Sequence, residues 1–170
     1  IRLPNLSNIE DNSFSMVVMI KPNSIPSSPN RRYGIAWKGR GSSGAGVGMH
    51  PVGSGGFYFD PSSDKKDAHF FNANGRTNKK IGKYYHIVGI ADRSKNVSII
   101  YVNGEREGHH VWPSGNKSSS NSYWAIGNIP LNPTEGFNGV IDEVRLYNRA
   151  LSAEEVKELY LFTSAFPPAE

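Results

Sequence analysis

Apolar and polar residues alternate in several short stretches of this chain, which is the pattern of half-buried β-strands. The clearest stretches are Tyr84–Ala91 and Val97–Val102, which a polar turn joins. Asn103-Gly104 follows and predicts a type I′ hairpin into a strand at Glu105–Val111. Other short stretches predict strands at Ile1–Pro4, Arg32–Lys38, Phe57–Phe59, His69–Phe71 and Tyr123–Gly127.

The early stretch Ser13–Ile20 carries apolar side chains on both faces. Such a strand is typical of the centre of a sheet that is covered on both sides. The Gly/Ser-rich segment Gly39–Gly48 predicts a mobile loop or a bulged hairpin. Its glycine spacing resembles a dinucleotide-binding loop, but no helix can start after it, so we do not expect that function.

The last strand is predicted at Val140–Tyr147. Its alternation places Val140, Val144 and Leu146 on one face, with Asp142 in the same row. A buried carboxylate in an apolar row needs a cation or N–H groups to compensate it, unless a β-bulge turns Asp142 to the rim.

A short helix is predicted directly after that strand, at Ser152–Leu161. Ser152 and Glu155 form a capping box, and Leu151 can pack on Val156 as a hydrophobic staple. Many short strands, long connections and one short helix predict an all-β, two-sheet antiparallel jelly-roll sandwich with a short C-terminal helix.

The chain has 170 residues, which suits a single domain over residues 1–170. It contains no cysteine, so disulfides and thiolate chemistry are excluded, and its net charge of +4 fits acidic glycans or cell surfaces as partners. No stretch approaches the roughly 20 apolar residues of a membrane span, so we expect no membrane insertion. The abrupt start at Ile1, with no signal peptide, predicts a piece of a longer protein with neighbouring domains.

Four sequence motifs occur here in the same order as in one protein family. They are Phe137–Ser152, Gly82–Val88 with Ile100–Glu105, Ser13–Pro22, and Ile126-Gly127-Asn128. The chain therefore resembles the laminin-G-like, concanavalin-A-like lectin/glucanase jelly rolls, although we expect the family's usual first strand, upstream of Ile1, to be missing or degenerate. The resemblance implies a non-catalytic carbohydrate-binding or adhesion module, extracellular or at the cell surface, with a glycan or cell-surface polysaccharide as its partner.

Two other function classes remain open. One is a polysaccharide-active enzyme of the same fold, for which Glu105 and Glu107 on one strand face are the candidate carboxylates, although the usual spacing is absent. The other is a structural or protein-contact domain of a surface appendage or virion. The basic residues lie scattered among turns, so we do not expect nucleic-acid binding.

Sugar-binding residues are expected in loops at the sandwich ends or on the concave sheet face. Our candidates are Trp112, His110, Arg106 and Tyr58. Trp112 starts a long polar loop, where we expect it to be exposed and able to stack on a sugar ring. The alternative is that it anchors the loop by packing against the sandwich. Trp37 and Trp124 share strand parity with isoleucines and are expected in the core.

The resemblance also implies a structural calcium ion, since many laminin-G-like modules bind one near this Asp. Asp142 matches the family's aspartate, and Asp11 and Asn12 are the expected further ligands. Calcium takes six to eight oxygen ligands, mostly from carboxylates and carbonyls. The alternative is that backbone N–H groups or Arg145 satisfy Asp142 without a metal.

Overall fold

A computed structural model describes residues 1–2, 9, 12–28, 31–39, 44–61, 72–113, 123–130 and 132–165. Besides a short 3-10 turn at Pro133–Glu135, the described part of the chain forms ten strands and one α-helix. They are β1 (Phe14–Pro22), β2 (Tyr33–Lys38), β3 (Ala45–Met49), β4 (Phe57–Asp60), β5 (Ala73–Asn74), β6 (Tyr85–Asp92), β7 (Val97–Val102), β8 (Glu105–Val111), β9 (Trp124–Ile126), β10 (Gly139–Tyr147) and α1 (Ala153–Ala165).

The strands form two five-stranded antiparallel sheets. The β1 sheet has the order β10-β1-β6-β7-β8, and the β3 sheet has the order β5-β4-β3-β2-β9. Neighbours in these lists are often distant in the sequence, as in a jelly roll. The two-sheet sandwich confirms the predicted fold class.

The main core lies between the inner faces of the two sheets. Phe14 of the β1 sheet packs edge-on against Phe59 and Trp124 of the β3 sheet, with ring centroids 5.6 and 6.5 Å apart. Gly89 faces Phe59, and a Cβ at this position would lie 2.8 Å from Cε2 of the Phe59 ring. The absence of a side chain there lets the sheets approach closely.

The outer face of the β1 sheet is covered by α1. Val17, Val88, Ile90 and Tyr101 form a second apolar cluster with residues at the start of the helix. Val17 belongs to this cluster, whereas its neighbours Met16 and Val18 belong to the main core. The prediction of a central strand covered on both faces is therefore confirmed.

The start of α1 is fixed by the predicted capping box. The Glu155 N–H donates to Ser152 Oγ (3.2 Å), and the Ser152 N–H donates to Glu155 Oε2 (2.8 Å). Leu151 and Val156 are buried in the same cluster, as expected for a staple. The helix has 13 residues and reaches Ala165, beyond the predicted end. Among the described residues, no helix is both long enough and apolar enough to cross a membrane.

A β-bulge in β10 corrects the predicted face of its side chains. Opposite β1, Val17 pairs with Arg145 but Met19 pairs with Asp142, so β10 holds one extra residue between them. Glu143 lies in this bulge with a φ of 52°. Ile141, Val144 and Leu146 pack against the main core. Val140 is 40% exposed, so its expected place in that row was wrong and the bulge alternative was correct.

The Gly/Ser-rich segment contains the strand β3, which pairs antiparallel with β2 across a register shift between Gly34 and Ala36. The bulged-hairpin alternative is therefore correct for the described residues 44–48. The outward positions of β3 are Gly46 and Gly48, over which the rings of Trp37 and Tyr58 lie. A Cβ at Gly46 would be 2.9 Å from the Trp37 ring, and one at Gly48 would be 2.6 Å from the Tyr58 ring. Glycine is therefore required here by close packing. The predicted strand at 69–71 lies outside the described residues.

Candidate functional site

The four predicted sugar-binding residues do not form one site. Arg106 and His110 are exposed on the edge strand β8. Arg106 pairs with Tyr101 of the helix-covered outer face, whereas His110 pairs with the buried Ser98. The two side chains therefore belong to opposite faces of the β1 sheet.

Trp112 is buried, and the expectation that it is exposed was wrong. It is 3% exposed and packs in the main core, and the Arg93 guanidinium lies 5.3 Å from the centre of its ring. The backbone N–H of Trp112 donates to the Asn96 carbonyl (2.9 Å). A ring held in this way anchors the loop that follows, and it cannot stack on a sugar without local unfolding.

Tyr58 lies on the outer face of the β3 sheet, in a layer of aromatic and basic side chains. Its ring contacts Trp37 edge-on with centroids 5.6 Å apart, and the Arg32 guanidinium lies 5.4 Å from the ring centre. Burial raises the pKa of the Tyr58 hydroxyl, so it stays protonated. His50 packs on the other side, with a centroid distance of 4.6 Å.

A cleft lies next to His50, between the loop that joins β3 to β4 and the segment that joins β5 to β6. We name it the cationic cleft. Its volume is about 210 Å³. The 76–79 wall offers backbone and polar side-chain groups, and the 52–55 wall offers backbone groups and the apolar side chain of Val52. The lining residues are Ile25, Val52, Gly53, Gly55, Arg76, Thr77, Asn78 and Lys79.

One wall of the cationic cleft is held in place by Glu107 of β8. The N–H groups of Arg76 and Thr77 donate to Glu107 Oε2 at 2.7 and 2.9 Å, and the Thr77 hydroxyl donates to Oε1. The Arg76 Nε–H donates to the Glu107 carbonyl at 3.1 Å. Glu107 is therefore a structural acceptor, which leaves it unsuited to act with Glu105 as a catalytic pair.

The floor of the cationic cleft is Lys79. Its side chain is 7% exposed, and its ammonium donates to the Gly55 carbonyl of the opposite wall. Burial lowers the pKa of the Lys79 amine. In the part of the chain that the structure describes, no carboxylate lies within ion-pair distance of Lys79 or Arg76. Within the described ranges, the cleft thus carries positive charge without a carboxylate counter-ion.

His50 connects the cationic cleft to the aromatic layer. Its Nε2 lies 2.8 Å from Asn74 Oδ1, an oxygen that can only accept, so Nε2 carries the proton. Burial lowers the pKa of His50, and the charges of Arg32 and Lys79 lower it further. His50 is therefore neutral at pH 7, and the positive charge of this region comes from Arg and Lys.

Two of the three predicted calcium ligands, Asp142 and Asn12, are not brought together. Asp142 pairs with Met19, and its Oδ1 accepts from the Glu143 N–H at 2.8 Å. Asn12 precedes β1, and Met19 lies five residues into that strand, about 17 Å from its start. Asn12 and Asp142 cannot therefore bind one ion. Asp11 lies outside the described residues, among which no cluster of three His, Asp or Glu residues could hold a metal.

Sequence reasoning missed Arg76 and Lys79 because it treated the basic residues as scattered turn residues. The one available signal is that both follow the turn-like pair Asn74-Gly75. The burial of Lys79 depends on Gly55 in another loop, which no local pattern reveals. The sequence likewise gave no reason to select His50 or Arg32.

The family model described as the concanavalin A-like lectin/glucanases superfamily matches residues 1–157. A comparison with curated proteins found no match.

Solved structures share the fold at low sequence identity. A protein from Bacteroides ovatus, described as a candidate carbohydrate-binding protein, is 20% identical with a TM-score of 0.67; the match covers 91% of this chain and 42% of that chain. The CBM40 of a Ruminococcus gnavus IT-sialidase, bound to α2,3-sialyllactose, is 14% identical with a TM-score of 0.70, covering 88% of this chain and 82% of that one. A Trypanosoma rangeli sialidase is 18% identical with a TM-score of 0.63, and the match covers 95% of this chain but 25% of the sialidase.

Proposed function

Since the chain belongs to the concanavalin A-like lectin/glucanases superfamily, we propose that it is a non-catalytic carbohydrate-binding module that binds a sugar in the cationic cleft. The carbohydrate-bound CBM40 of the same fold supports a binding role. The observation that carries the proposal is the cleft itself, because it combines hydrogen-bonding groups with an apolar wall at one end of the sandwich.

The lining fits the chemistry of a sugar ring. Thr77, Asn78 and the backbone around Gly53 and Gly55 can exchange hydrogen bonds with hydroxyl groups, and the exposed Val52 can pack on a C–H face. The volume of about 210 Å³ is below the roughly 300–1,000 Å³ of pockets that enclose drug-sized ligands. We therefore expect one sugar unit of a longer glycan to enter the cleft.

The arrangement of the Glu107 carboxylate favours sugar binding without catalysis. Glu107, the carboxylate on the cleft wall, already accepts three hydrogen bonds. A general acid or nucleophile must instead be free to contact the scissile bond. The protein is proposed to act outside the cell or at its surface, as an adhesion or targeting unit beside neighbouring domains. The partial coverage of the B. ovatus and T. rangeli chains supports this arrangement.

The test combines a glycan array with a turnover assay. We expect binding to at least one glycan, no release of reducing sugar or unsaturated uronate, and weaker binding by Asn78→Ala. The matched control is Asn148→Ala, an exposed asparagine outside the cleft. Product release would show an enzyme instead. Silence in both assays would favour a structural or protein-contact domain.

A further inference from the structure

The cationic cleft contains a charge that the described protein does not neutralise. Lys79 has three N–H donors, and one of them donates to the Gly55 carbonyl. A buried ammonium is costly unless a counter-ion or several acceptors compensate it. A lysine that served only to join the two walls would not need this burial, since a neutral side chain could make the same hydrogen bond.

Arg76 adds a second cation at the rim. It is exposed, and Glu107 binds its backbone N–H and, through the carbonyl, its Nε. The segment that carries Arg76 is thereby fixed before any ligand binds, which lowers the cost of ordering the site. The Arg76 guanidinium at the rim and the Lys79 ammonium at the floor thus place two cationic hydrogen-bond donors around one small cleft.

We propose that the cationic cleft selects a sugar unit that bears an anionic group, a carboxylate or a sulfate, with Lys79 and Arg76 binding its oxygens. This inference rests on the proposed function. The anion supplies the counter-ion that Lys79 lacks among the described residues. The sugar ring lies against Val52, and Thr77 and Asn78 bind its hydroxyl groups.

Among the described residues, no neighbouring carboxylate forms an ion pair with these cations. The Glu107 carboxylate accepts hydrogen bonds from the backbone N–H groups of Arg76 and Thr77 and from the Thr77 hydroxyl, not from the Lys79 ammonium or the Arg76 guanidinium. His50 is neutral at pH 7 and does not repel a further cation or attract the anion. Lys79 and Arg76 are the cationic residues of the described lining, so the selection is assigned to them.

The test uses matched probes on the folded chain. Sialyllactose, lactose sulfated at the same position and lactose itself, together with uronate oligosaccharides and their neutral parents, are titrated against the protein. We expect at least one acidic probe to bind at least about tenfold tighter than its neutral parent, since a charge-assisted hydrogen bond contributes roughly that much. The carboxylate and sulfate arms identify which anion is preferred. Binding should weaken as salt is raised.

Two variants and one control locate the effect. Lys79→Met and Arg76→Met should each weaken the acidic probe about tenfold or more. Lys80→Met makes the same change at the next residue, which is exposed and outside the cleft, and should leave affinity unchanged. Melting temperatures establish that the variants fold; should Lys79→Met unfold, the exposed Arg76→Met still decides the question.

The outcomes separate the two claims. If neutral parents bind as tightly as acidic probes and Arg76→Met changes nothing, the anionic preference is wrong while carbohydrate binding stands. If no probe and no array glycan binds, the proposed function fails and the preference fails with it.

Discussion

His86 is a buried histidine whose two ring nitrogens have no hydrogen-bond partner among the described residues. It lies beneath α1, with its ring centroid 5.9 Å from that of Tyr160. Burial lowers its pKa to about 4, and the positive charge of Arg145 acts in the same direction. A neutral His86 therefore suits this site, and a protonated one does not.

Acid should destabilise the fold through His86. The unfolded chain binds a proton near pH 6.5, and the folded chain does so only near pH 4. The stabilisation is thus complete above about pH 6.5 and is lost as the pH falls through 4, by up to about 3 kcal/mol. Denaturant unfolding at pH 7 and pH 4.5 measures the change. His86→Leu should reduce this pH dependence, and the exposed His109→Gln should not; equal slopes in all three proteins would contradict the explanation.

Trp112→Ala should destabilise the protein by about 3–5 kcal/mol, because a large ring leaves the main core. Thermal or denaturant unfolding measures this loss, with Val111→Ala, which truncates an exposed neighbour, as the control. If Trp112→Ala melted at the same temperature as the unmodified protein, the ring would contribute nothing to the packing of the core. The sequence could not place this ring, because its burial depends on Arg93 and Asn96 across a turn.

Among the elements, most strands were predictable because their alternation is local. The hairpin at Asn103-Gly104 is an example, and both residues have the positive φ values, 51° and 79°, that a type I′ turn needs. Strand β3 was harder to predict, because its glycines suggest a loop. They fit a strand only because the Trp37 ring of β2 and the Tyr58 ring of β4 pack over them, which local sequence does not show. The bulge in β10 could be raised as an alternative, because Val140 and Ile141 are both apolar, but only the pairing with β1 decides it.

The bulge predicts an unusual tolerance for glycine. Glu143 adopts a φ of 52°, which glycine reaches at lower cost than glutamate. Glu143→Gly should therefore be neutral or stabilising by up to about 1 kcal/mol, after the loss of the half-exposed ion pair with Arg145. Val140→Gly, in the same strand, should be destabilising. A larger loss for Glu143→Gly than for Val140→Gly in denaturant unfolding would rule out this account.

At the scale of the whole molecule, the sandwich followed from the spacing of strands and turns, whereas the cationic cleft did not. Its walls come from residues 52–55 and 76–79, and a third element, β8, holds one of them through Glu107. Such a site depends on three segments that meet only after folding. Local sequence patterns predict the structure of each segment, but they do not predict which segments come into contact in the folded protein.

Calcium binding stays a prediction. An ion bound only by the folded chain should stabilise it by about 2.7 kcal/mol at a hundredfold excess over the dissociation constant, so melting should rise with calcium and fall with chelator. Because Asp142 is far from Asn12, Asp142→Asn and Asp11→Asn are tested separately, and the variant that removes the shift locates the ion. Identical melting curves with calcium and with chelator would end the hypothesis.

All three tryptophans are buried, Trp37 at 4%, Trp112 at 3% and Trp124 at 2% exposure, and none lines the cationic cleft. The intrinsic fluorescence of the folded protein should therefore be blue-shifted and insensitive to sugar. Titration followed by tryptophan emission should stay flat even when calorimetry records binding. A flat emission trace is thus no sign of an inactive preparation, and a red shift on adding a glycan would report that the sandwich itself has opened.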